Sequence, residues 1–403
     1  MNTIDNHSSA DIFFQIRWDE YKVRHTEALH ARNVNLWRDV LPDVVRAAMI
    51  GTTSGDLMSF EFNPGDIVPA FSSKDAPVFK NGQFNRDFTD DRRINPRQGR
   101  FFPKGILDDV PGIFKANITP FRLVGIENGH IHTDFNHPLS RHPLNLSATI
   151  SHIRNNDDKQ GGTVHHWMEE LTEGPGMQAQ WNQEPTDFFS DDPFAREDET
   201  ADAVFYEPAR MVHHLDRMAR DIVRSIYHRH LEDDMDVLDL MSSWATHLPE
   251  KFSPGILAGL GMNEAELREN KNLTDRQVSD LNHRPVLPYA DSRFDVVLCT
   301  VSVEYLTKPV DVFQEVARVL KPGGHFILTF SNRWFQPKVV RIWTELHEFE
   351  RLGLVLEYFR RSGSFEQLET YTIRGLPRPR NDKYFPKLRF SDPVYAAWGR
   401  RRG

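Results

Sequence analysis

Residues Asp236 to Pro249 read DVLDLMSSWATHLP. Val237, Leu238 and Leu240 form a short apolar run of the kind buried on both faces of a parallel sheet, and Asp239 sets a carboxylate near its carboxyl end. Ligands of open α/β sheets bind beyond that end, where a glycine-rich turn ordinarily lets the backbone close on a nucleoside or phosphate. Here no glycine follows. The places where small residues are expected hold Met241, Ser243 and Ala245.

Downstream, three further features keep a fixed order: DLN from Asp280, LPYADSRFDVVLC from Leu287 to Cys299, and VFQEVARVLKPGGHFILTF from Val312 to Phe330. Together with VLDL they resemble the type 11 branch of the class I S-adenosylmethionine (SAM) methyltransferases, over roughly Phe205 to Ile373. The resemblance implies a Rossmann-like, mostly parallel sheet and SAM as cofactor. It places Asp239 near the methionine ammonium, Asp280 on the adenine amine and Leu281 as a backbone donor, with Asp295 holding a turn. Two departures stand out. The D-x-G-x-G-x-G loop has become Asp239–Ala245, with Ser242 and Ser243 offering hydroxyls and Met241 and Trp244 adding bulk. At the end of the second strand, where an acid for the ribose is usual, the chain has Gly261, with Asn263 or Glu264 as substitutes. Either the pocket is rebuilt and binds SAM through Asp239, Met241, Ser242, Ser243, Trp244, Asn263, Asp280, Leu281 and Ser302, or the domain is a relic kept for interactions.

Methyl transfer from a sulfonium is an in-line displacement, so a protein must position the nucleophile and remove its proton if it has one. Ser302, Glu304 and Tyr305 follow the fourth strand, and Asn332, Arg333 and Trp334 follow the fifth. A preceding segment contributes Tyr206, Arg210, His213 and His214. Expected acceptor contacts are Tyr206, Arg210, Asn332, Arg333 and Trp334. His247, Tyr305 and His214 are the candidate catalytic groups, set against ordinary packing roles. Adjacent His213 and His214 face different ways and make no metal site. Cys299, inside an apolar strand, reads as an inert thiol. The pocket inventory has no basic groove with stacked aromatics and no metal cluster, so a small-molecule acceptor is expected. A thiol such as hydrogen sulfide or methanethiol needs little base, and the two-part layout resembles bacterial thiol S-methyltransferases that release dimethyl sulfide.

Upstream, Asp11 to Met49 carries Phe14, Trp18, Tyr21, Val34, Trp37, Leu41 and Val45 at helical spacing, which predicts a helical lead-in over residues 1–50. Residues 51–153 alternate in short runs between turn signals, predicting a smaller α+β, antiparallel domain. Within it IENGHIHTDFNHPLSRHPLNLSATI, Ile126 to Ile150, resembles the last strands of SlyD-type FKBP prolyl isomerases at Asn136, His137, Leu139 and Ser140. That resemblance implies an apolar cup, for which Phe101, Phe102, Phe114 and Phe121 are candidates, though a structural or docking role is favoured. Residues 154–203 read as an acidic linker, partly docked through Trp167, Met177, Trp181, Phe188 and Phe189. Residues 204–375 form the methyltransferase-like domain, and 376–403 a C-terminal tail.

Composition bounds the rest. With 403 residues, 39% hydrophobic and 27% charged, the chain is globular with two domains expected. A net charge of −9 argues against nucleic-acid binding. One cysteine fits a cytoplasmic protein, and no apolar run reaches the roughly 18 residues of a membrane span. A homodimer is compatible with these features, and no residue decides the oligomeric state. The competing class of function is a folding or interaction factor with a vestigial methyltransferase domain; a third is methylation of a natural product or protein.

Overall fold

The computed structural model describes residues 3–90, 92–155 and 161–403. The described residues form fifteen strands: β1 (Ser8–Glu20), β2 (Val23–Asn35), β3 (Leu57–Phe62), β4 (Val78–Lys80), β5 (Phe101–Pro103), β6 (Pro120–Glu127), β7 (His130–Asp134), β8 (Leu144–Asn155), β9 (Asp236–Leu240), β10 (Ile256–Gly261), β11 (Asp275–Val278), β12 (Phe294–Thr300), β13 (Leu320–Phe330), β14 (Phe365–Arg374) and β15 (Val394–Arg401). Eleven of them make one sheet in the order β11-β10-β9-β12-β13-β15-β14-β2-β1-β8-β3. Strands β9 to β13 run parallel, and the apolar runs of β9, β10, β12 and β13 are buried because helices cover both faces, whereas β11 is a partly exposed polar edge. Helices Pro309–Val319 and Glu348–Ser362 cover one face. Helix Arg217–His228 covers the other with Ala219, Val223, Ile226 and Tyr227, and the Tyr227 hydroxyl meets Thr300 and Thr329 at 2.6 and 3.0 Å.

Two expectations fail against this architecture. The helical lead-in is instead the long hairpin β1–β2, followed only by helix Asp43–Met49. Phe14 and Trp18 lie four residues apart, a spacing that a helix and a strand both place on one face. The deciding residues are Ala10, Ile12 and Ile16, which complete an every-second-residue row that is wholly buried. The expected tail contains β15, whose Tyr395, Ala396 and Ala397 are buried between β13 and β14 as an antiparallel strand.

The N-terminal strands therefore extend the same sheet, β2 pairing parallel to β14 from Leu368 opposite Val23 to Arg374 opposite Leu29. The seam is polar inside. His25 Nδ1 meets the Thr370 hydroxyl at 2.7 Å, and the buried Glu27 carboxyl accepts from Thr372 and from Gln178. Residues 63–143, inserted between β3 and β8, build the small sheet β4-β7-β6-β5 around Phe84, Phe102, Phe121 and Ile131. The expected aromatic cup does not form: Phe101 joins the main core, Phe102 and Phe121 fill the small one, and Phe114 is exposed. Asn136 bridges to the Ser72 backbone through both ends of its amide, so that turn anchors the insertion. Beyond it, Trp167, Met168 and Leu171 are buried in the N-terminal core, and Met177 and Phe188 in the main core.

Candidate active site

The strand ends of β9, β10, β11 and β12 open into one cleft of about 150 Å³. Its floor begins at Asp239, whose buried carboxylate accepts a 2.6 Å bond from the Ser242 hydroxyl; burial pushes its pKa up to about 7, against the lowering effect of that bond. Met241 follows with φ of 57°, in the left-handed region that glycine ordinarily supplies. The turn thus forms without a glycine. The close approach is supplied from the facing strand: a Cβ on Gly261 would lie 2.2 Å from the Ser242 carbonyl oxygen, and Ser242 N donates to Leu260 O at 2.7 Å. Val301, at φ of 41°, adds a second strained turn after β12, unusual for a β-branched residue.

The bulky loop residues grip the segment that roofs the cleft. Trp244 Nε1 donates to Val212 O at 3.2 Å, and the Trp244 ring lies 4.6 Å from that of His213. Ser243 Oγ donates to Glu266 Oε2 at 2.5 Å, while Glu266 Oε1 accepts from Arg210 N at 2.6 Å. Asn263 caps helix Glu264–Glu269 with its oxygen and donates through its amide to Tyr206 O and Glu207 O at 2.9 and 2.8 Å. Its side chain is committed to holding the roof. The Arg210 guanidinium lies over Phe205 at 4.6 Å, and at the roof's far end Asp216 accepts from Ser391 Oγ and Asp392 N.

Of the residues singled out from sequence, Tyr206, Arg210, His214, Asp239, Met241, Ser242, Ser243, Trp244, His247, Asn263, Asp280, Leu281, Ser302 and Tyr305 line this cleft. Arg333 and Trp334 do not; they line an adjoining depression of about 250 Å³ that shares His213, His214, Tyr305 and Phe335 with the cleft. Asn332 faces a separate outer groove. Glu264 is spent on Arg268 at 2.6 Å. The acid of this helix that lines the cleft is Glu266, one helical turn beyond Asn263, a place that a motif counted along the strand end does not reach. Phe335 carries no sequence signal either; the Tyr305 hydroxyl accepts from Phe335 N at 2.8 Å, and the Phe335 ring packs against His214 at 5.0 Å. His213 and His214 keep solvent-exposed surface, yet desolvation where they line the cleft holds both below the ordinary imidazole range, and burial pushes His247 down to about 4. Asp280 Oδ1 accepts from the backbone of Asn282 and His283, fixing the carboxyl at the β11 end. Asp295 accepts from Asp236 N and Lys321 Nζ outside the cleft, and burial raises the Cys299 thiol.

A family profile described as a methyltransferase domain matches residues 245–328, beginning just after the glycine-less turn. The C-terminal sheet region is thus similar to a methyltransferase domain over those residues. Its sheet order, with an antiparallel strand between β13 and β14, joins the profile to the cleft described above. The chain is 26% identical over 164 residues to the demethylmenaquinone methyltransferase of Lactiplantibacillus plantarum, covering 35% of this chain and 69% of that protein. It is 34% identical over 92 residues to the ubiquinone/menaquinone biosynthesis C-methyltransferase UbiE of Laribacter hongkongensis, covering 23% and 36%. The crystal structure of the YcgJ protein from Bacillus subtilis superposes with a TM-score of 0.34 and 15% identity, over 46% of this chain and 99% of that one.

The cofactor of the methyltransferase domain is SAM. The donor set fits it: a buried carboxyl with a single hydrogen-bond donor, Ser242, and a second carboxyl held at the neighbouring strand end suit an ammonium and an exocyclic amine. Among the described residues, no group of three or more His, Cys, Asp or Glu could hold a metal ion, and no helix is long and apolar enough to cross a membrane.

Proposed function

We propose that this chain transfers a methyl group from SAM to a small acceptor entering through the depression beyond Tyr305 and His214. The observation carrying this reading is a tight turn formed without glycine: Met241 takes the left-handed conformation and Gly261 allows the close approach, so Asp239 faces the cleft. Bound SAM supplies an electrophilic methyl on a positively charged sulfur. Asp239 would hold its ammonium and Asp280 its adenine amine, with Leu281, Ser302 and the Met241–Trp244 loop as walls. A site of about 150 Å³ is smaller than the 300 Å³ or more of ordinary ligand pockets. The Tyr206–Leu215 roof therefore lifts to admit the cofactor and closes to exclude water.

The acceptor class follows from the weak bases at hand. His214 and His247 are neutral and held below the usual imidazole range, and the Tyr305 hydroxyl is tied to Phe335. A nucleophile that ionises unaided suits such a site, which favours a thiolate, with hydrogen sulfide and methanethiol as the simplest cases. Relatives named as quinone and fatty-acid methyltransferases supply the competing acceptors, a ring carbon and a carboxylate. Calorimetry with SAM and S-adenosylhomocysteine tests the cofactor reading, and absence of binding at millimolar concentration would sink it. Headspace analysis after adding SAM with either thiol then tests the acceptor. An FKBP-like isomerase is the weaker alternative, since its four candidate phenylalanines are dispersed.

A further inference from the structure

The chain is acidic overall, yet Arg374 to Phe390, from the last residue of β14 into the loop before β15, carries six cations against one acid. This loop shapes a concavity of about 620 Å³ with β2 and the start of helix Arg217–His228, lined by Arg32, Arg217, Arg378, Arg380 and Arg389 with Asp221 as the only acid. The nearby carboxylates are already used. Buried Arg378 takes Asp216, Asp382 and Asp392, and Asp221 is held by Arg224 at 2.5 Å and by Arg217 at 3.9 Å. Among the described residues Arg32, Arg380 and Arg389 have no carboxylate partner, and Arg389 lies only over the Phe385 ring at 4.8 Å. Like charges gathered around a hollow repel one another unless an anion enters it. Guanidinium forks match the paired oxygens of phosphate.

We propose that this concavity is a binding site for the phosphate groups of a phosphate-bearing ligand, held by Arg32, Arg380 and Arg389 above the fixed Arg378. The ligand lies on the acceptor side. Arg378 and Arg389 also line an outer groove of about 1100 Å³ that reaches Arg333 and Tyr384, and those two residues border the depression shared with His214 and the cleft. An elongated acceptor anchored by its phosphates would thus extend toward Tyr305. That extension rests on the methyl-transfer reading, whereas the phosphate site itself does not.

Calorimetry of the full chain with inorganic pyrophosphate tests the site, and S-adenosylhomocysteine titrated in parallel reports on the cleft. The triple variant Arg32→Ala/Arg380→Ala/Arg389→Ala should weaken pyrophosphate binding by at least about tenfold while leaving the nucleoside titration unchanged. Arg380→Ala alone, which removes no ion pair, serves if the triple variant misfolds, with a loss of about threefold expected. Pyrophosphate affinity unaltered by these substitutions, or matched by chloride, overturns the proposal. Vesicles distinguish the ligand's source: pyrophosphate binding together with sedimentation on phosphatidylglycerol but not phosphatidylcholine vesicles supports a lipid headgroup, and pyrophosphate binding alone supports a soluble phosphate ester. Vesicle binding without pyrophosphate binding overturns it. Loss of S-adenosylhomocysteine binding with pyrophosphate binding kept would sink the methyl-transfer reading and leave this site standing.

Discussion

The floor and the roof of the cleft are built on opposite principles. The floor is made of strand ends whose side chains are buried and fixed by the sheet, whereas the roof, from Tyr206 to His214, is a single exposed strand of chain held by a few hydrogen bonds. Residues that depart most from the expected loop, Ser243 and Trp244, serve the roof; those that keep it, Asp239 and the Met241 turn, serve the floor. Side chains in place of glycine therefore couple two parts that a bare backbone loop would leave independent.

The sharpest break of that contrast is at Asp239. Asp239→Ala should weaken SAM binding by about 100-fold, the worth of a buried charge-assisted contact, without lowering the unfolding midpoint. A calorimetric affinity within threefold of the parent would place the ammonium elsewhere. Next comes Gly261→Ala, which forces a methyl group into the Ser242 carbonyl and should cost about 1–3 kcal/mol in urea unfolding, shifting the whole loop. An unperturbed midpoint would mean that the floor yields as readily as the roof.

Acidity should separate floor from roof as well. Burial raises Asp239 and Glu27 to about 7 and Glu304 to about 8, from ordinary values of 3.8 and 4.5. Carboxyls raised in the folded state keep a proton that the unfolded chain releases, so stability is fullest below pH about 4 with respect to these groups and declines as pH rises toward 8. Glu304→Gln should flatten the decline, and an unchanged stability profile between those limits would show that Glu304 is hydrated. SAM affinity, which needs the Asp239 anion, should instead strengthen as pH rises through 7.

Smaller effects belong to the roof. Trp244→Phe removes the bond to Val212 and should speed amide exchange across residues 206–214 by about fivefold, equivalent to roughly 1 kcal/mol. Exchange unchanged there would uncouple loop and roof. Met241→Gly, which relieves a left-handed residue while freeing the unfolded chain, should change stability by less than about 1 kcal/mol and leave SAM binding intact.

The sequence was most readable where chemistry is local. Asp239, Asp280 and Tyr305 could be named from the order of motifs because strand ends bring them together whatever the rest of the chain does. Glu266 and Phe335 could not, since their approach to the cleft depends on how a short helix and a loop fold back. The β1–β2 hairpin is hidden in the sequence because a spacing of four serves both periodicities, and β15 because the run Val394 to Trp398 is recognisable as a strand only where β13 and β14 flank it. The phosphate site eluded composition altogether: net charge averages away a cluster drawn from β2, a helix start and the last long loop.

The pairing of β14 with β2 has a consequence for handling the protein. A fragment beginning near residue 204 would keep every cleft residue but Asp202 yet leave β14 with a bare row of amides and carbonyls over seven paired positions, beside the unpartnered Thr370 and Thr372. Such an edge recruits strands from other molecules. The N-terminal half thus acts as a built-in stopper, moving the exposed margin out to the short β3 strand, where Glu61 and the neighbouring Asp56 discourage further pairing.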